Sequence, residues 1–86
     1  MKIFFIGTVE FSKMALQKLI ELKAQVVGVC TKEKSGFNSD FADLRPLCEK
    51  NKIPYKLTNN VNTKDTCDWI KLLNPDIIFC FGWSNL

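Results

Sequence analysis

The 86-residue sequence contains no histidine, and its four cysteines include no Cys-x-x-Cys pair. Histidine is the usual general base near neutral pH, so the chain cannot carry a Ser-His or Cys-His mechanism by itself. Without histidine or closely spaced cysteines, a structural zinc site is not expected either. We therefore predict that the chain contains no catalytic residue and no metal ligand.

Long apolar runs and a strong charge bias are also missing. No run approaches the roughly 18 residues that a membrane-spanning helix needs, and no cleavable leader pattern opens the chain. The formal net charge is only +3, and the lysines are scattered, so composition supports neither a membrane nor a nucleic-acid partner. Cys30 and Cys80 lie inside apolar runs, where a free cysteine behaves as a small hydrophobic residue. Four cysteines could form two disulfides in a secreted chain, but the lack of a leader and the α/β pattern favour free thiols and a cytoplasmic location.

What the sequence does contain is an alternation of strand-like and helix-like segments. Strands are predicted at 3–6, 25–31, 53–57 and 76–81, and helices at 10–22, at 46–51 and from 63 to 73. Residues 40–44 are expected to form an irregular turn or a short helix. Apolar runs without polar alternation are typical of strands covered on both faces. We predict an α/β, three-layer, Rossmann-like half-domain with a parallel sheet of strand order 3-2-1-4.

Three more specific expectations follow from the pattern. Phe11 and Met14 fall on the apolar face of the first helix and are assigned to the core. Pro54 places the third strand at an edge of the sheet. The fourth strand is expected at the other edge, apolar and exposed, which predicts a homo-oligomer in which 77–81 is covered by another chain.

The first turn has one glycine, Gly7, where a dinucleotide-binding turn has three. Val9 and Ser12 occupy the positions of the second and third glycines, and Glu10 places a negative charge where a pyrophosphate would lie. A nucleotide at this turn is therefore disfavoured. A small Rossmann-like nucleotide- or phosphate-binding module, or an interaction module without catalysis, remains the alternative to an enzyme.

A polar segment at 32–40 follows the second strand, at the end where open α/β sheets place their binding loops. Lys32 and Lys34 are candidates to contact a phosphate, and Phe37 is a candidate to stack on a ligand. The competing interpretation is a solvated surface loop.

Both ends of the chain resemble a known family. Residues 1–11 are similar to the start of the N10-formyltetrahydrofolate-dependent formyltransferases, whose first turn typically reads G-T-P-[ED]-F, although Val9 replaces the proline. Residues 73–83 resemble that family's fourth strand, where an N-P-D-[IL]-[IV] run leads to the folate pocket. Residues 34–44 resemble the loop of sugar N-formyltransferase-like members more than that of methionyl-tRNA formyltransferase.

This resemblance implies that residues 1–86 are the N-terminal portion of a formyltransferase catalytic domain, truncated after the fourth strand. The family's catalytic Asn, His and Asp have no counterpart in the chain, so a fragment that is inactive alone is expected. The implied cofactor is N10-formyltetrahydrofolate. Its pterin is expected to lie against Phe81, Gly82, Trp83 and Ser84.

The implied reaction is attack by an acceptor amine on the formyl carbon. The sequence favours a nucleotide-linked amino sugar as acceptor, with methionyl-tRNA next and glycinamide ribonucleotide third. A nucleic-acid partner is expected only if the acceptor is initiator tRNA. The residues expected nearest the acceptor are Lys32, Lys34, Phe37 and Asn38.

Overall fold

The computed structural model describes residues 1–33 and 41–81. Its elements are β1 (Lys2–Gly7), α1 (Glu10–Glu21), β2 (Gln25–Thr31), α2 (Arg45–Lys50), β3 (Tyr55–Leu57), α3 (Lys64–Leu73) and β4 (Ile77–Phe81). The strands form one sheet in the order β3-β2-β1-β4, and each neighbouring pair is parallel. The predicted α/β fold and strand order are confirmed.

β1 lies at the centre of the sheet and supplies side chains to both faces. Phe4 and Phe5 are fully buried and point to opposite sides, as neighbours on a strand do. Phe4 packs in the cluster that includes Trp69 of α3, whereas Phe5 packs with Leu16 of α1 and Cys48 of α2. α3 therefore covers one face, and α1 and α2 cover the other, which gives the predicted three layers.

Local chemistry explains where several elements begin and end. α2 begins at Arg45 and carries Pro46 in its first turn, where the missing N–H costs nothing. α3 is capped by Thr63, whose side chain accepts a hydrogen bond from the Thr66 N–H, and it ends at Asn74 in the left-handed conformation with φ 50°. β3 begins only after Pro54, two residues later than predicted.

The assignment of Phe11 and Met14 to the core is wrong. Their side chains are 62% and 66% exposed, while Ser12 and Leu16 of the same helix are fully buried. The reason is the close approach of α1 to the end of β1 at Gly7, where only a small side chain fits. Ser12 takes the inward position, and the larger neighbours turn outward.

β3 and β4 lie at the two edges of the sheet, as predicted. Ile77 and Ile78 at the start of β4 are 36% and 49% exposed. In the part of the chain that the structure describes, no strand lies beyond β4. None of the helices in this part is long and apolar enough to cross a membrane.

Candidate functional site

The carboxyl ends of β1 and β4 lie side by side, and this is where the topology of the sheet reverses. From β1 the chain first adds β2 and β3 on one side and then returns to add β4 on the other. Ligands of open α/β sheets bind outside the carboxyl ends of the strands at such a switch point. The residues found there are Gly7 at the end of β1, Thr8 just after it, and Phe81 at the end of β4.

Gly7 is the point of closest approach between β1, α1 and β4. A Cβ atom on Gly7 would lie 2.5 Å from the Ser12 Cβ and 2.9 Å from the Phe81 carbonyl oxygen. Both distances are shorter than a van der Waals contact, so any side chain at this position would force the helix and the strand apart. Gly7 is therefore required by packing inside the protein.

Ser12 ties these segments together. Its side chain is fully buried, its hydroxyl oxygen accepts a hydrogen bond from the Val9 N–H at 3.3 Å, and the hydroxyl donates to the Phe81 carbonyl oxygen. Val9 has no polar side chain, so the start of α1 is capped from one side only. The Ser12 hydroxyl thus links the turn after β1 to the end of β4 through two hydrogen bonds.

Aromatic side chains surround the end of β4. The Phe81 ring lies 5.7 Å from Phe5, 5.6 Å from Phe11 and 5.9 Å from Phe79, measured between ring centroids. Phe11 meets Phe81 edge to face and leaves most of its own surface open to solvent. A flat aromatic ligand can pack against such a surface.

The chain returns to this site just before α2. Val9 and Phe41 form an antiparallel bridge, and the Ala42 N–H donates to the Thr8 carbonyl oxygen at 2.9 Å. The polar segment at 32–40 therefore begins at the end of β2 and is followed by residues that pack against the first turn.

The chain matches no protein-family profile. Comparison with curated proteins does find relatives along its whole length. It is 35% identical to methionyl-tRNA formyltransferase of Geotalea daltonii and 33% identical to that of Clostridioides difficile, over 90 aligned positions that cover 100% of the chain. Methionyl-tRNA formyltransferase of a Thermotoga species is 27% identical over the same span.

Over its whole length the chain is similar to formyltransferases. It resembles the N-terminal part of these enzymes, as the motifs at its two ends predict, and it spans about 29% of the length of the curated relatives it matches.

The structure describes only some of the predicted site residues. Phe81 lies at the switch point, whereas Gly82, Trp83 and Ser84 fall outside the described residues. Lys32 directly follows β2 and is 7% exposed, so it is part of the packed structure and not of a solvated loop. The other predicted acceptor contacts, Lys34, Phe37 and Asn38, also fall outside the described residues.

The end of β2 also carries a buried polar group. Thr31 is fully buried, and its hydroxyl has no hydrogen-bond partner among the residues that the structure describes. A cleft of about 180 Å³ lies beside the ends of β2 and β3 and is lined by Glu33, Leu57, Thr58 and Asn59.

The two buried thiols, those of Cys30 and Cys48, are poor nucleophiles near neutral pH. Burial raises the pKa of Cys30 to about 11 and that of Cys48 to about 12. A buried thiol that keeps its proton cannot act as a nucleophile or a metal ligand. Across residues 1–33 and 41–81, no three His, Cys, Asp or Glu side chains are grouped closely enough to hold a metal ion.

The roles of Ser12 and Phe11 were not predicted from the sequence, although the sequence contains a signal for the role of Ser12. Ser12 occupies the position of the third glycine of a dinucleotide-binding turn, and that glycine serves close packing between helix and strand. In this chain the same position packs against Gly7. Phe11 gave no such signal, because its contact with Phe81 joins the two ends of the chain.

Proposed function

We propose that the chain binds the formyl donor N10-formyltetrahydrofolate for an enzyme that transfers the formyl group to an amine. The observation that carries this proposal is the match of the whole chain to methionyl-tRNA formyltransferases. The switch point between β1 and β4 supports it, because it is where an open α/β sheet binds its ligand. The proposed donor contacts are Phe81, Gly82, Trp83 and Ser84.

The proposed role of the chain in the reaction is binding and orientation. When the donor is bound, it supplies the formyl group that an acceptor amine attacks. The aromatic surface formed by Phe11 and Phe81 packs against one end of the donor and excludes water from it. We propose that residues 1–86 are the N-terminal portion of the catalytic domain, and that groups which stabilise charge and move protons come from elsewhere in the enzyme.

The acceptor we propose is methionyl-tRNA. The relatives reported above are named for this acceptor, and none of them supports the nucleotide-linked amino sugar that the segment at 34–44 favoured. Glycinamide ribonucleotide remains the least favoured of the three acceptors considered. Lys32, Lys34, Phe37 and Asn38 remain the proposed acceptor contacts, since Lys32 directly follows β2 and the other three come soon after it in the sequence.

A nucleotide-binding module is the weaker alternative. A dinucleotide-binding turn needs open space beside its glycines so that a pyrophosphate can approach the backbone. In this chain the space beside Gly7 is filled by the Ser12 side chain and the Phe81 carbonyl oxygen. Glu10 in the first turn of α1 adds a negative charge that would repel a phosphate.

The test of the donor site is a fluorescence titration of the 86-residue chain with 5-formyltetrahydrofolate, a stable isomer of the donor. The chain has two tryptophans, and Trp69 packs edge to face on Phe4 in the core at 5.4 Å. A Trp69→Phe variant keeps an aromatic ring there and leaves Trp83 as the only tryptophan reporter. We expect the ligand to quench the fluorescence of the Trp69→Phe variant saturably. We expect a second variant, with Trp83→Ala as its single change, to bind the ligand more weakly than wild type when binding is measured by calorimetry. A folded chain that shows no saturable binding would contradict the proposal.

We also propose that two copies of the chain associate through β4, whose outer edge is apolar and unpaired within the described residues. All four thiols are free, which agrees with the proposed cytoplasmic location.

A further inference from the structure

We propose that Ser12 is a positioning residue for the donor site, whose hydroxyl fixes the Phe81 carbonyl group and so the direction in which the backbone leaves β4. This inference rests on the proposed donor function. Ser12 does not touch the proposed ligand in this account. It acts through the backbone of Phe81, which is one of the proposed donor contacts.

The direction of the two hydrogen bonds is fixed by chemistry. The Val9 N–H can only donate, so the Ser12 oxygen is the acceptor at 3.3 Å. The Phe81 carbonyl oxygen can only accept, so the single hydroxyl proton points to it. One hydroxyl therefore satisfies both groups in one orientation, and it has no alternative orientation that keeps both bonds.

The size of the side chain is fixed by packing. The Ser12 Cβ and Oγ atoms lie 2.5 Å and 2.6 Å from the place where a Gly7 Cβ would stand. Ser12 is fully buried, so it cannot move toward solvent to make room for a longer side chain. Serine is thus small enough to fit against Gly7 and still provides the hydroxyl that alanine and glycine lack.

The hydrogen bond from Ser12 affects the whole end of β4. The Phe81 carbonyl is held at the last residue of β4, while the Phe81 ring packs on Phe11 and Phe5. Without the hydroxyl, the carbonyl loses its side-chain partner, and the strand end is held only by its pairing with Gly7 of β1 and by its ring. We expect the backbone at Phe81 to become more mobile and the donor to bind less tightly.

The experiment compares Ser12→Ala with a matched control, Thr66→Ala. Thr66 is also fully buried and also uses its hydroxyl in a hydrogen bond, but it belongs to α3 on the opposite face of the sheet. Two quantities are measured on the 86-residue chain: the Kd for 5-formyltetrahydrofolate and the rate of backbone amide hydrogen exchange at Cys80 and Phe81. Thermal unfolding of each variant establishes that it is folded.

We expect Ser12→Ala to raise the Kd about tenfold and to speed exchange at Phe81 by a similar factor. Thr66→Ala should change neither the Kd nor the exchange rate at Phe81. Each variant is compared with wild type at a temperature that is the same number of degrees below its own unfolding midpoint. The hydrogen-exchange readout separates a local loss at the strand end from a loss of stability in the whole chain.

Three results would overturn the proposal in distinguishable ways. Equal binding and equal exchange in Ser12→Ala and wild type would remove Ser12 from the donor site and leave the donor site standing. Equal weakening in both variants would make Ser12 a residue of general stability only. A folded wild-type chain without binding would overturn the donor function and the donor role of Ser12 together.

Discussion

β3 and β4 lie at opposite edges of one sheet, yet their sequences and surroundings differ. β3 has three residues, follows a proline and carries a lysine, and all of these features discourage pairing with another strand. β4 has five residues, Ile-Ile-Phe-Cys-Phe, with no charge and no proline. β3 thus has the short, polar character that is usual for edge strands. β4 has the composition of an interior strand.

The surroundings of the two edges differ in the same direction. The hydroxyl of Tyr55 in β3 donates to the Glu49 carboxylate of α2 at 2.7 Å, and the Thr58 N–H just after β3 donates to the Thr31 carbonyl oxygen at 3.0 Å. β4 instead leaves Ile77, Ile78 and Cys80 exposed. The outer edge of β3 is therefore unsuited to pairing with a further strand, whereas the outer edge of β4 leaves an apolar strand on which another strand can pair.

The largest expected effect comes from the attachment of β4 to β1. Gly7→Ala would place a Cβ against the Ser12 side chain and the Phe81 carbonyl oxygen. Because backbone cannot move aside as a flexible side chain can, we expect a loss of about 3 kcal/mol in the free energy of unfolding. Urea unfolding followed by circular dichroism measures it.

Gly28→Ala in β2 is the matched control for that substitution. Its Cβ would meet the Leu73 Cδ1 atom at 2.7 Å and the Phe4 ring at 3.0 Å. The Leu73 atom is the end of a flexible side chain and can shift, and the ring has to give way by only a few tenths of an ångström. We expect a smaller loss, about 1 kcal/mol. If both variants lose the same stability, β4 is not held at Gly7 in the way the structure indicates.

The next effect concerns association. We expect the wild-type chain to dimerise with increasing concentration, and Ile78→Lys to raise the dimer dissociation constant about tenfold or more, because a buried lysine without a partner opposes pairing. Sedimentation equilibrium measures it. Leu57→Lys is the control on β3, where the side chain is 38% exposed, and should leave association unchanged.

Thiol labelling offers a second measurement of the same edge. Cys80 is exposed, whereas Cys30 and Cys48 are buried, so a thiol reagent should label Cys80 ahead of both. Burial raises the pKa of Cys80, so labelling is best done near pH 9. Labelling of Cys80 should slow as the protein concentration rises. A wild-type chain that stays monomeric, with labelling independent of concentration, would contradict association through β4.

The smallest effect concerns β3. The hydrogen bond to Glu49 raises the pKa of Tyr55 above its ordinary value of about 10. The unfolded chain therefore loses the phenol proton first as the pH rises, and this contribution to stability is present below about pH 10 and is lost above it. We expect Tyr55→Phe to be slightly less stable than wild type at pH 7 and to lack this decline.

Urea unfolding of both proteins between pH 7 and pH 11 tests that expectation. Tyr55 is the only tyrosine in the sequence, and the lysines, which titrate in the same range, are common to both proteins. The difference between the two curves thus reports Tyr55 alone. Parallel curves over the whole range would show that the Tyr55–Glu49 bond contributes nothing in solution.

The sequence predicts the sheet well because its strands are coded locally. The runs at 3–6, 25–31 and 76–81 are apolar without alternation, and the strand order follows from the βαβ connections between them. Pro54 correctly marks the edge position of β3 but delays its start. The family could also be predicted, because the motifs at 1–11 and 73–83 are continuous in sequence.

The candidate site is predicted less completely, because its contacts are not local. The hydrogen bond from Ser12 to Phe81 joins residues 69 positions apart, and no periodicity in α1 reveals it. Helical spacing alone places Phe11 on the core face, since it counts apolar residues and not the space available to them. The close approach at Gly7 decides which side of α1 turns inward, and that approach depends on β4.

The pairing of β1 with β4 also bears on how the chain acquires its structure during synthesis. The two strands are clamped at their first residues, where the Lys2 N–H donates to the Asp76 carboxylate at 2.7 Å and the Asp76 N–H donates to the Lys2 carbonyl oxygen at 2.8 Å. A ribosome releases β1 first, and β2 can pair with it early. The other side of β1 stays open until residues 77–81 have emerged, so nascent chains on neighbouring ribosomes are most prone to associate through this side.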